Sequence, residues 1–158
     1  MIKILVDGDS CRVLDTVEYI AESKHIDCHI YCDITRTITT DYSELHIVDT
    51  GRDMADFAIA NNCCPNDIVI TNDSGLASLV LSRHGFALNS YGIEYTKENI
   101  ISFLTSRHIR SHEQARSKHH KVKNSLRPIT KQRPFDAQLL RIIKKARYKE
   151  QESEQYNA

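Results

Sequence analysis

The chain has 158 residues, a formal net charge of zero and 41% hydrophobic residues. This length suits one domain with its own core plus an extension, and this apolar content excludes disorder throughout. No apolar run approaches the roughly 20 residues of a spanning helix. The N-terminus enters a strand pattern without the basic flank of a signal peptide, so the expectation is a cytoplasmic protein with no membrane partner. The five cysteines are odd in number, and Cys63 and Cys64 are adjacent, which suits a disulfide framework poorly. Cys28 and Cys32 are spaced like a metal pair, but no second pair has zinc-site spacing. All five read as buried or incidental thiols.

The zero net charge hides an asymmetry. Residues 1–106 hold 7 Lys/Arg against 16 Asp/Glu, a net −9. Residues 107–149 hold 14 Lys/Arg against 2 Asp/Glu, a net +12, and the last nine residues carry three Glu. An acidic body can hold a metal, and a basic arm can hold phosphates. The plainer alternative is an arm that docks on its own acidic body.

In chain order, Ile2–Val6 reads as a continuous, fully buried strand. Residues 11–23 have helical spacing of apolar residues, and 26–32 alternate like a second strand. Residues 33–43 are Thr-rich and irregular, and 45–49 form a short third strand. Residues 52–63 are helical through Met54, Ala55, Ala58 and Ile59. Pro65-Asn66 makes a turn to which Asp67 belongs. A strand over Ile68–Thr71 leads into a helix over 74–84. A short strand at 86–89, a loop "SYGIEYT" and a helix N-capped by Thr96 follow. From about residue 107 the chain is basic and poor in apolar residues, which reads as a linker or arm. Helical periodicity returns over 135–149, and residues 150–158 read as a disordered tail. Alternating strands and helices predict βαβ units and a mostly parallel sheet in a three-layer α/β/α arrangement. The division expected is an α/β domain over 1–106, a basic arm and C-terminal helix over 107–149, and the tail.

In such sheets ligands sit beyond the carboxyl ends of the strands, where strand order reverses. Asp7, Asp9 and Asp73 lie at such ends. Asp7 and Asp9 are two apart, so an extended backbone points both the same way. Asp53 and Asp56 are three apart, on one helix face. Converging carboxylates repel unless a cation neutralises them, and Mg²⁺ or Mn²⁺ prefers oxygen ligands. Each acid also has a plain alternative. Asp7, Asp9 and Ser10 could cap the first helix and Asp73 a later one, and Asp53 and Asp56 suit the first turn of a helix whatever the function. Joint placement at one sheet edge favours a metal site. Asp15, Asp49 and Asp67 read as structural. His108, His112, His119 and His120 stand among Lys and Arg, so they read as solvated or phosphate-facing rather than as metal ligands.

Four ordered blocks, "VDGDSCRV", "DTGRDMADFAIAN", "DIVITNDSGLA" and "GFALNSYGIEYTKENI", resemble the YaiI/YqxD family of uncharacterised bacterial proteins, which is similar to the PIN-domain-like (Rossmann-like) nuclease fold. The likeness extends more loosely through "RPITKQRPF". It departs at Gly8, Ser10 and Arg12 and around Asn72 and Gly75, where the family carries other small residues or Pro. PIN-like proteins are Mg²⁺- or Mn²⁺-dependent ribonucleases that use three or four acids. Carried onto this chain, the resemblance implies Asp7, Asp9, Asp53, Asp56 and Asp73 as metal ligands and catalytic acids. Ser10, Thr71 and Asn72 would be supporting polar groups.

The function expected first is a metal-dependent phosphodiesterase acting on RNA. Arg12, Arg52, Arg107, Arg110, Lys118, Lys121 and Lys123 would bind phosphates. No organic cofactor is expected, and a homodimer stays open. One alternative is a haloacid-dehalogenase-like phosphatase, with Asp7 as nucleophile and Asp9 as acid/base. It lacks a catalytic Lys between residues 73 and 96 and leaves Asp53 and Asp56 without a role. The other is a non-catalytic nucleic-acid-binding protein.

Overall fold

The computed structural model describes residues 1–116 and 133–158, with side chains described up to His108 in the first stretch. Six strands form one sheet: β1 (Lys3–Asp7), β2 (Asp27–Asp33), β3 (Glu44–Val48), β4 (Ile68–Ile70), β5 (Phe86–Leu88) and β6 (Glu94–Tyr95). Their order is β3-β2-β1-β4-β5-β6. The first five pair in parallel, and β6 runs antiparallel to β5. Five helices are described: α1 (Leu14–Ser23), α2 (Met54–Asn62), α3 (Ser74–Ser82), α4 (Ile100–Arg116) and α5 (Phe135–Tyr156). Among the described residues no helix is long and apolar enough to cross a membrane.

The apolar run Ile4-Leu5-Val6 has no exposed surface, as a central parallel strand covered on both faces requires. Alternation divides it. Ile4 and Val6 face a core with Val17, Ile20 and Ala21 of α1 and Leu139, Ile142, Ile143 and Ala146 of α5. Leu5 faces a second core with Ala55, Ile59 and Ala60 of α2, Leu76, Ala77 and Val80 of α3, and Ile100 of α4. The result is a three-layer α/β/α arrangement, with the strand order reversing between β1 and β4.

Several elements depart from the sequence expectation. Helix α1 starts at Leu14, because residues 8–10 turn back on Asp7: the backbone N–H groups of Ser10 and Cys11 both donate to the Asp7 carbonyl. Part of the "SYGIEYT" loop is β6, too short for periodicity to reveal. The expected boundary at residue 106 falls inside α4, which continues to Arg116. Helix α5 is a layer of the α/β domain, and residues 150–156 of the expected tail continue it. Part of the C-terminal charge also docks on the body. Arg141 pairs with Glu94, Lys145 lies 3.2 Å from the same carboxylate, and the Arg147 guanidinium donates to the Lys24 carbonyl at 2.6 Å. Asp67 is structural and closes the Pro65-Asn66 turn, as expected, its N–H donating to the Cys64 carbonyl at 3.1 Å, and it is deeply buried. It accepts from the backbone N–H groups of Lys3 and Cys64 at 3.0 and 2.8 Å and pairs with the Lys3 ammonium at 2.8 Å. All five cysteines are free thiols, three of them buried.

Ile142 has no exposed surface. Ile142→Ala should therefore cost about 2–5 kcal/mol in urea denaturation, the range for truncating a buried Ile or Leu. A change within about 0.5 kcal/mol, typical of a surface site, would mean that α5 is an appendage.

Candidate metal centre at the carboxyl ends of β1 and β4

Asp7 is the last residue of β1 and is 4% exposed. Its Oδ2 accepts two hydroxyls, from Ser10 at 2.8 Å and from Thr71 at 2.9 Å. Its Oδ1 accepts the Asp9 backbone N–H at 3.3 Å. Burial raises the Asp7 carboxyl pKa, and the two hydroxyl bonds oppose that rise.

A polar network carries this arrangement across to β5. The Asn72 backbone N–H and side-chain amide donate to the Ser10 hydroxyl and carbonyl at 3.3 and 2.9 Å. Asn72 Oδ1 accepts the backbone N–H and hydroxyl of Ser90 at 2.9 and 2.8 Å. Thr71 Oγ1 accepts the Asp73 backbone N–H at 3.0 Å. Ser10, Thr71 and Asn72 thus stitch three strand ends together. Ser90 was not among the sequence candidates, because a Ser beside Asn89 in "LNSYG" reads as an ordinary turn residue.

The five acids do not all converge. Asp9 does not share a direction with Asp7. The chain turns at Gly8, whose N–H donates to the Tyr31 carbonyl at 2.8 Å and where an added Cβ would lie 3.0 Å from that oxygen. Asp9 therefore faces the end of β2. It accepts the Asp33 N–H at 3.2 Å and lies 3.7 Å from Arg36. Neither Asp33 nor Arg36 was singled out from the sequence, since their strand end meets Asp9 only through the parallel pairing.

Asp53 is not on the face of α2 beside Asp56. It precedes the helix as its N-cap residue with φ 62°, a left-handed conformation that Asp tolerates better than most residues. Asp73 is an N-cap, accepting the Gly75 and Leu76 N–H groups at 2.7 and 3.1 Å. Arg107, expected to bind phosphate, pairs with the same Asp73 oxygen at 2.9 Å. Arg12 and Arg52 are exposed. Lys118, Lys121, Lys123, His119, His120 and the side chains of Arg110 and His112 lie outside the described residues.

Asp56 registers the charge at this edge. Burial and then the charges of Asp7, Asp73 and Asp53 push its carboxyl pKa up to about 7, against a small opposing effect of Arg107. Carboxylates that disfavour each other's ionisation favour a cation. Among the described residues, no three of these acids bring carboxylate oxygens within 4.8 Å of one another. An all-oxygen, widely spaced set fits a Mg²⁺-type ion that keeps several of its waters. It does not fit a closed cage.

The raised pKa has a consequence for stability without metal. The folded state holds the Asp56 proton more tightly than the unfolded chain, whose carboxyl titrates near 3.8. Stability should therefore fall as pH rises between about 4 and 7, then lose nothing further from this group. In EDTA, calorimetric melting should show Asp56→Asn flattening that decline and melting higher than wild type at pH 8. An unchanged profile in the variant would mean that Asp56 is not under this strain.

No solved structure gives a significant match. A UPF0178 protein of Natranaerobius thermophilus is 41% identical over 118 residues, 75% of this chain and 80% of its own length. One from Clostridium perfringens strain SM101 is 39% identical over 107 residues, 68% of this chain and 72% of its own. One from Lachnoclostridium phytofermentans is 33% identical over 144 residues, 90% of this chain and 97% of its own. The model of the family described as "Uncharacterized BCR, YaiI/YqxD family" matches residues 5–145, which run from within β1 to the middle of α5. The chain belongs to the YaiI/YqxD family.

Proposed function

We propose that this chain is a divalent-cation-dependent phosphodiesterase acting on RNA. The observation that carries the reading is the buried Asp7 carboxylate, clamped by Ser10 and Thr71 where strand order reverses, with Asp56 and Asp73 beside it. The crevice at such a reversal is where open α/β sheets bind ligands. The resemblance to PIN-like nucleases points the same way.

Asp7 and Asp73 would hold Mg²⁺ or Mn²⁺ directly. Asp53 and Asp56 would complete the shell through water. When bound, the ion would polarise a phosphodiester and lower the pKa of an attacking water. The chain's own residues do the positioning. Ser10 and Thr71 fix one Asp7 oxygen, and the N-terminal N–H groups of α3 fix one Asp73 oxygen. Arg107, 54% exposed, is placed to exchange its Asp73 partner for a phosphate. Arg12 and Arg52, both exposed, would add further phosphate contacts. Asp9 faces Asp33 and Arg36 instead of the crevice, which leaves the phosphatase alternative without its acid/base.

Titration of Mn²⁺ and Mg²⁺ by calorimetry tests this. Wild type should bind saturably, Asp7→Asn/Asp73→Asn should not, and cleavage of single-stranded RNA should vanish with the binding. Failure of wild type to bind either ion would overturn the reading. A phosphoenzyme trapped on Asp7 would replace it with a phosphatase.

A further inference from the structure

A second group of metal-ligating side chains lies away from the acidic crevice, on the edge strand. The parallel register sets His29 of β2 opposite Glu44 of β3, and Tyr31 opposite His46. Residues two apart on one strand share a face, so His29, Glu44 and His46 form a triangle on one side of the sheet. His29 Nδ1 and His46 Nε2 are 3.0 Å apart. Each of these nitrogens lies 3.5 Å from a Glu44 carboxylate oxygen. Among the described residues this is the group of His, Cys, Asp or Glu whose three ligand atoms all lie within 4.8 Å of one another.

The spacing matches a coordination shell. Zinc bonds to imidazole nitrogen and carboxylate oxygen are about 2.0–2.2 Å long, so tetrahedral donors stand about 3.3 Å apart. The 3.0 Å between the two nitrogens is close to that edge, and Glu44 turns one carboxylate oxygen to each of them at 3.5 Å, Oε2 to His29 and Oε1 to His46. The rings are also held in place. His46 stacks on Tyr31 at 4.5 Å and 12° and against His29 at 5.2 Å and 30°. Two neutral imidazoles this close must share one N–H between two nitrogens. A metal can take that position without any net loss of a proton: the donor imidazole moves its N–H to its other ring nitrogen, and both facing nitrogens become ligands. Two imidazoles and one carboxylate suit Zn²⁺, whereas Mg²⁺ and Mn²⁺ prefer oxygen sets such as the acidic crevice. The side chains of His29 and His46 are 21% and 32% exposed, and His29 and Glu44 line a hollow of about 300 Å³ with Asp27, Cys28 and Tyr42. An ion therefore has an entry path and room for a water as fourth ligand.

We propose that His29, Glu44 and His46 form a zinc-type metal site that clamps the edge strand β3 to β2, with one coordination position open. The site is independent of the acidic crevice in residues and in preferred metal.

The test is a calorimetric titration of Zn²⁺ into the full-length chain, with His46→Gln, Glu44→Gln and the double variant His119→Gln/His120→Gln alongside. Wild type should bind one Zn²⁺ equivalent that His46→Gln weakens by about 100-fold or more, at least the upper range for losing a mere supporting group. The His119→Gln/His120→Gln and Asp7→Asn/Asp73→Asn variants should keep that equivalent. Melting temperature should rise with Zn²⁺ in wild type and not in His46→Gln. Imidazole nitrogen NMR of the wild type avoids dependence on the variants folding: the His29 Nδ1 and His46 Nε2 resonances should move on adding Zn²⁺. Unmoved resonances, or undiminished binding in His46→Gln, would leave the pair as an ordinary cross-strand hydrogen bond and overturn the proposal.

Discussion

Two hydroxyls meet one carboxylate oxygen where β1 ends beside β4, and the candidate crevice depends on that meeting. Ser10 reaches Asp7 from the turn that follows β1, and Thr71 reaches it from the end of β4, 64 positions along the chain. A buried carboxylate without partners would cost several kcal/mol or take up a proton. With these donors it stays at the seam, and its position fixes the turn, the Asn72 amide and the loop bearing Ser90. The same contacts make Asp7 the least movable member of the acidic group.

The rest of the acidic edge balances attraction against repulsion. Asp73 is neutralised twice, by the N-terminal N–H groups of α3 and by Arg107. Asp9 is drawn off towards β2. Asp56 has burial and three like charges to contend with and Arg107 in its favour. The edge is therefore graded, with one fixed acid, one capped acid and one acid that ionises reluctantly. Under the proposed function, such a site would respond to a cation mainly through its least satisfied member.

Part of the charge asymmetry along the chain is settled by contacts of α5. Arg141, Lys145 and Arg147 of α5 are engaged with Glu94 and with the Lys24 carbonyl. The apolar face of the same helix closes one side of the sheet. In this helix the plainer alternative, basic residues docking on an acidic body, describes the contacts.

The sequence by itself determined the architecture and the neighbourhood of the candidate site. Continuous apolar runs such as Ile4-Leu5-Val6 could only be buried central strands, and their alternation with helical periodicity implied a parallel sheet with acids at its carboxyl ends. These are local properties, written in spacing. What only the tertiary structure decided were directions and partners. Asp9 turns from Asp7 because Gly8 packs against β2, and Asp53 leaves the helix face of Asp56 because it is a left-handed cap. Helix α5 belongs to the core because its stripe meets Val6 and Ile68 rather than solvent. His29, Glu44 and His46 become neighbours only through the register of β2 and β3. In the sequence they are an isolated His and an ordinary Glu-x-His alternation. Register and long-range pairing are settled by how whole layers pack, and no window of sequence contains that information.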